Sequence, residues 1–137
     1  MKRISDFDNV ILFNIGIAGG HPDKTEIGEV YIVNKVTNDE TVDKYFLTMP
    51  AKNEFTTIAL TTVAKGITGG HVGYEGLVDM EAAIITATAI SSFNIDKISV
   101  IKVVSDHMDI VNWSSLDVCG LIESKLDSIC TLMKLYV

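Results

Sequence analysis

The sequence predicts an α/β fold, on three observations. Apolar runs of strand length recur along the chain, beginning with Val10 to Ala18, VILFNIGIA. A run that is apolar on both faces belongs to a sheet covered on both sides by helices. An apolar run also passes straight into an uncharged, Ala-rich segment at Leu77 to Ala83, LVDMEAA, as a strand-to-helix junction does. Finally, Ser115 to Tyr136 places Cys119, Ile122, Leu126, Ile129, Cys130 and Met133 on one helical face, the pattern of a helix packed on a sheet. The 137 residues suit one domain spanning 1–137.

The elements follow in order. The first strand, Val10 to Ala18, ends in the turn cluster Gly19-Gly20-His21-Pro22. No helix long enough to cover it precedes it, so the chain reads as opening in the middle of a sheet. Glu26 to Asn34 is a second strand, rich in β-branched and aromatic residues. After a polar turn at Thr37 to Glu40 comes a shorter strand, Lys44 to Met49, closed by Pro50. Thr57 to Ala64 alternates weakly and reads as a strand. Lys65 to Tyr74 holds four glycines and reads as a loop, matching neither the P-loop nor the dinucleotide spacing. A helix is predicted from Met80 to Phe93. With no charge between Ala82 and Ile90, it reads as buried nearly all round. Lys97 to Val104 is the last strand. Ser114 or Ser115 can cap the final helix, with Asp117 completing a loose capping box.

Composition excludes several function classes. Hydrophobic residues make up 47% of the chain, which argues for a packed core and against disorder. Eleven basic and 18 acidic residues give a net charge of −7 with no basic cluster, against a nucleic-acid footprint. No signal-peptide core and no uncharged run of membrane-spanning length is present. Cys119 and Cys130, on one predicted helix, would stand about 16 Å apart and cannot bridge each other. Buried reduced thiols in a cytoplasmic protein are the expectation.

Two acids stand out. Glu81 follows an apolar strand and precedes an uncharged helix, so it is expected to be led into the interior, where a carboxylate needs partners. It is either an acidic first-turn residue or an anchor for paired ligand hydroxyls. Asp106 lies just past the carboxyl end of the last strand, where ligands bind in open α/β sheets; it either acts on a ligand or caps a turn. Among the histidines, His107-x-Asp109 lacks a third metal ligand at a sensible spacing, and His71 reads as solvated. Trp113 reads as a packing residue. No metal and no cofactor is expected.

In order, the chain carries FNIGIAGG at Phe13 to Gly20 with IGEV at Ile27 to Val30, VDMEAA at Val78 to Ala83, and VVSD at Val103 to Asp106. Together these motifs resemble the nucleoside phosphorylase and nucleosidase family, over about Asn9 to Asp109. The resemblance implies a three-layer α/β/α sandwich with a mixed, partly barrel-like central sheet. It implies that Glu81 accepts from the ribose 2′ and 3′ hydroxyls, that Met80 packs on the sugar, and that Asp106 holds or protonates the purine N7. Ser105 would orient Asp106. Cleavage of a ribosidic C–N bond builds positive charge on the sugar and negative charge on the base, and two carboxyl groups so placed act on that separation.

The chain departs from the family pattern in two places. The family's N-terminal βαβ portion, which carries the phosphate loop or the water-activating acid, has no counterpart. Asp6 and Asp8 are the only acids ahead of the first strand. Gly66 and Ile67 stand where the nucleosidase branch has an aromatic base-stacking residue, which leaves Ile67 as the base contact. The implied function is an N-ribosyl hydrolase or phosphorylase acting on a purine nucleoside or thionucleoside, with phosphate as co-substrate in the second case. The alternative is a non-catalytic nucleoside- or nucleobase-binding remnant of the same fold. Uncovered apolar edges favour self-association, so a homodimer or larger homo-oligomer is expected.

Overall fold

The structure is a computed structural model that describes residues 10–51, 54–65, 73–110 and 116–136. Six strands are formed: β1 (Leu12–Gly20), β2 (Val30–Asn38), β3 (Lys44–Phe46), β4 (Thr56–Thr62), β5 (Leu77–Asp79) and β6 (Ile98–Asp106). Three α-helices accompany them: α1 (Ala82–Ala89), α2 (Val118–Ser124) and α3 (Leu126–Met133). None of the described helices is long and apolar enough to cross a membrane.

The expected mixed sheet is present, but it curls shut. Its strand order is β3-β2-β4-β5-β1-β6, with β6 pairing back onto β2. The closing pair is antiparallel, Val30 to Ile32 against Val103 to Ile101. Five strands therefore form a barrel-like ring and β3 hangs on the outside of β2. The sheet is thus mixed and closed further than the partly barrel-like sheet that the family resemblance implied, and the described residues do not show the three-layer sandwich. Right-handed twist accumulating over a short sheet brings its outer strands together, and closure satisfies edges that an open sheet would leave bare.

Burial follows strand position rather than hydrophobicity alone. β6 lies between β1 and β2, and all nine of its residues are buried, a lysine included. β1, the more apolar run, is mostly half-buried. It pairs with β6 along its length, but with β5 only at Gly19 and Gly20. The run expected to be covered on both faces is therefore the less covered of the two.

Two of the packed regions lie on opposite faces of β6. Val100 and Val104 join Val33, Leu60, Leu77 and the α1 alanines. Ile101 and Val103 join Ile32 and, from α3, Ile129 and Leu132. A bulge in β2 between Val33 and Lys35 inserts one residue, so Val36 shares the face of Val33 despite the odd spacing. β2 starts four residues later than expected because Gly28, at φ +88°, turns the chain just before it.

The helices differ from the sequence reading in three ways. α1 buries only Ala82, Ala83, Thr86 and Ala89, while Ile84 is 60% exposed and Ile85 and Ile90 are also open. Small side chains let the helix lie close to the sheet on one side, and nothing among the described residues covers the other. The predicted final helix is broken at Lys125, which leaves helical geometry at φ −114°. Asp117 caps α2 by accepting from the Gly120 amide at 3.0 Å. Cys119 and Cys130 fall on separate helices and are exposed, against the expectation of buried thiols.

Candidate functional site

Register assembles the site. β4 and β5 run parallel with Thr62 beside Asp79, so the Thr62 hydroxyl donates to Asp79 Oδ1 at 2.6 Å. The α1 backbone begins three residues beyond Asp79, and its first N–H groups lack intrahelical partners. Ala82 N–H donates to Asp79 Oδ2 at 2.9 Å and Ala83 N–H to Thr62 Oγ1 at 2.9 Å. A threonine from one strand and an aspartate from the next thus cap the helix together. Glu81 occupies the N-cap position but makes no side-chain cap bond.

Lys102 completes this network from the third side. It stands on β6 opposite Gly16 of β1 and has no accessible surface. Its Nζ approaches Asp79 Oδ2 at 3.2 Å and Glu81 Oε1 at 3.7 Å. These are ion-pair contacts rather than aligned hydrogen bonds, since Nζ has no partner of hydrogen-bond geometry. A buried ammonium without an opposite charge is very costly, so Asp79 both caps α1 and balances Lys102.

Glu81 is not led into the interior. Its side chain is 54% exposed, and Met80 is 49% exposed. The α1 amides are already taken by Asp79 and Thr62, which leaves Glu81 free to turn toward the mouth of a cleft, with Lys102 touching one of its oxygens from behind.

Asp106 ends β6 and is 2% exposed. Ser105 Oγ donates to its Oδ2 at 2.7 Å, and the Met108 N–H donates to its Oδ1 at 2.7 Å. Met108 adopts φ +65°, a left-handed conformation that costs a side-chain-bearing residue energy. Its amide is thereby aimed back at Asp106. The register between β1 and β6 shifts here, with Ala18 opposite Val104 and Gly19 opposite Asp106. Ser105 is the extra residue of that bulge. Bulges re-aim side chains at strand ends.

Met80, Glu81, Ser105 and Asp106 line a single cleft of about 480 Å³, together with Ile17, Ala18, Gly19, Val63, Val78, Asp79 and Met108. Its walls are largely apolar, and its acids stand where two strands end. Three carboxylates line it, and no basic side chain does among the described residues. Ile67, expected against the base, lies outside the described residues, as do Asp6, Asp8, His71 and Trp113. His107 turns away from the cleft, its Nε2 meeting the Thr25 carbonyl at 3.2 Å, and its amide donates to Asp109 Oδ1 at 3.2 Å in a local turn.

Sequence reasoning passed over Lys102, saw Asp79 only as the first of an acidic pair with Glu81 at the helix start, and passed over Thr62. The signal was there for the first two. A lone lysine inside an apolar strand, ISVIKVVSD, needs a buried counter-charge, and LVDMEAA offers two acids. Nothing local marks Thr62, whose role depends on strand register.

No protein-family model matches the chain, and no curated protein matches it. Solved structures do. A 5′-methylthioadenosine/S-adenosylhomocysteine nucleosidase (MTAN) from Chlamydia trachomatis superimposes at a TM-score of 0.69 with 22% identity, over 91% of this chain and 64% of that one. An MTA/SAH nucleosidase gives 0.67 at 19% identity, over 92% and 62%. The 5′-methylthioadenosine nucleosidase of Arabidopsis thaliana gives 0.65 at 15% identity, again over 92% and 62%. The fold is that of these nucleosidases. The chain spans 54% to 64% of the length of the C. trachomatis structures it matches.

Proposed function

We propose that the chain binds a purine nucleoside or thionucleoside and cleaves its N-ribosyl bond by hydrolysis. The observation that carries this reading is that Glu81 and Asp106, one from the β5–α1 junction and one from the end of β6, line one apolar-walled cleft. A substituted form of the C. trachomatis protein has been solved with MTA bound, and the unsubstituted protein with adenine; the ligand class of those structures suits such a cleft. Glu81 accepts from the vicinal ribose hydroxyls and Met80 packs on the sugar. Asp106, held by Ser105 and Met108, stands at the purine N7 as the acid. Water adds to the anomeric carbon as the bonding pair of the breaking C–N bond passes to the base. A proton from Asp106 neutralises the base at N7, and the proton shed by the added water passes to solvent, from which Asp106 is reprotonated. Each carboxyl group acts where charge develops in the transition state.

Charge favours water over phosphate. With Asp106 serving as the acid, Asp79 and Glu81 remain as carboxylates of the cleft, and Lys102 offsets only one of the two. A phosphate dianion entering there meets net repulsion, whereas a neutral nucleophile does not.

A second reading is binding without turnover. It is favoured by the lack of a carboxylate free to activate water among the described residues. Asp79, the remaining acid of the cleft, is committed to Thr62, Ala82 and Lys102.

A purine-release assay on adenosine, inosine, methylthioadenosine and S-adenosylhomocysteine, with and without phosphate, separates these readings when paired with thermal shift. Release that is independent of phosphate supports the hydrolase. Stabilisation by the nucleosides without release supports the binder. Neither effect, at high protein concentration, rejects both.

A further inference from the structure

We propose that Lys102, seated in the space left by Gly16, is a positioning residue that fixes Glu81 and so makes the cleft select a ribosyl over a 2′-deoxyribosyl ligand. The proposal rests on the reading of the cleft as a nucleoside site and adds the device that sets sugar selectivity there.

Glu81 has a problem that its neighbours do not share. Asp106 is buried and held at both oxygens, while the Glu81 side chain is half in water and makes no bond to the helix it precedes. A glutamate so exposed has several rotamers, and a ligand that needs one of them must order it on binding. The Lys102 ammonium, 3.7 Å from Glu81 Oε1, is the contact that restrains it. Attraction to one oxygen leaves the other turned outward, free to accept from a hydroxyl.

Lys102 can do this because it is itself held. Asp79 Oδ2 lies 3.2 Å from Nζ. Asp79 is tied to β4 through Thr62 and to α1 through Ala82. An ammonium carries three donors, and here none of them makes a hydrogen bond of good geometry. Lys102 therefore retains donor capacity toward Glu81 when a ligand draws that side chain into place. Gly16 is part of the same device. A Cβ at Gly16 would lie 3.2 Å from Lys102 Nζ, so the missing side chain is the room the ammonium occupies. Its β-strand backbone needs no positive φ, so proximity to Lys102 rather than backbone geometry calls for glycine there.

If Lys102 served only to balance Asp79, its replacement would change stability but not the choice between sugars. The test compares a ribonucleoside with its 2′-deoxy counterpart on the full chain, for the wild type, Lys102→Arg, Lys102→Met and Gly16→Ala. The ratio of kcat/KM values is read, or the ratio of affinities from thermal shift if the chain binds without turnover. The wild type is expected to favour the ribonucleoside by about tenfold or more, the effect of a hydrogen bond to a charged group. Lys102→Met should lower the ratio toward one, chiefly through a weaker ribonucleoside. Lys102→Arg should keep most of it. Gly16→Ala, which only nudges the ammonium, should lower it by roughly two- to fivefold while the protein stays folded. Should Lys102→Met fail to fold, Gly16→Ala decides the matter. A wild-type ratio in the folded variants overturns the positioning role and leaves the nucleoside reading standing. A wild type that neither cleaves nor binds either sugar overturns both.

Discussion

Replacing Asp79 with asparagine tests the buried network at its centre. The change keeps the shape of the side chain and removes its charge. Asp79 now makes three contacts: it accepts from Thr62 Oγ1 at 2.6 Å and from Ala82 N–H at 2.9 Å, and it pairs with Lys102 at 3.2 Å. Asparagine has one acceptor oxygen, so one of the two hydrogen bonds is lost or the amide group faces a donor. The larger cost is Lys102, which has no accessible surface and would keep only Glu81, at 3.7 Å and half exposed. Breaking a buried ion pair by removing one partner costs about 3–5 kcal/mol. The residual attraction to Glu81 places the expected loss near the lower end, about 3 kcal/mol. For a chain of this length that lowers Tm by about 10 °C. Urea denaturation followed by far-UV circular dichroism measures it. A loss under about 1 kcal/mol would refute the claim that Asp79 balances Lys102. A double-mutant cycle sharpens the test, because Lys102→Met should cost at least about 1 kcal/mol less in the Asp79→Asn background. Additivity of the two would show that they do not interact.

Three further outcomes are expected. Asp106→Asn should lower kcat for purine release by about 100-fold or more with a smaller change in KM, since general acid catalysis contributes on that scale; an equal loss in binding would argue against an acid at N7. Leu132→Ala should destabilise by about 2–5 kcal/mol in the same urea assay, because Leu132 is fully buried against β2 and β6, and a change near zero would misplace α3. Burial pushes the Tyr136 hydroxyl above its usual value of 10.0, and the neighbouring Ser99 side chain pulls it part of the way back. The folded chain thus holds this proton more tightly than the unfolded chain. Stability from Tyr136 is present below pH about 10 and is lost as pH rises through the raised folded value. Tyr136→Phe should therefore flatten the fall in Tm between pH 9 and about 11 relative to the wild type, and an unchanged slope would contradict this sign.

How much of this was legible in the sequence depends on whether the cause was local. The strand cores and the β5–α1 junction follow from runs and breaks that neighbouring residues define. Glu81 and Asp106 stood out because each ends an apolar run at a strand terminus, and both line the same cleft. Ring closure was not legible. It depends on Val30 to Ile32 meeting Val103 to Ile101 across some 70 residues, and no local pattern encodes that pairing. The same closure decides burial, which is why β6 is covered throughout while the more apolar β1 is not. The orientation of Glu81 went wrong for a related reason. Its fate was set by Thr62 and Asp79, which take the first α1 amides, and their cooperation depends on β4–β5 register. The exposed isoleucines of α1 show that an uncharged helix need not be a buried one, since the four residues that pack on the sheet are small.

The most direct test of a nucleoside cleft built on Glu81 and Asp106 is a crystal structure of the chain with methylthioadenosine or its cleavage product bound. The account predicts Glu81 within hydrogen-bond reach, about 2.5–3.0 Å, of the ribose 2′ and 3′ hydroxyls, and an Asp106 oxygen within about 3.2 Å of the purine N7. A ligand seated elsewhere, or one in this cleft with its sugar turned away from Glu81, would contradict it.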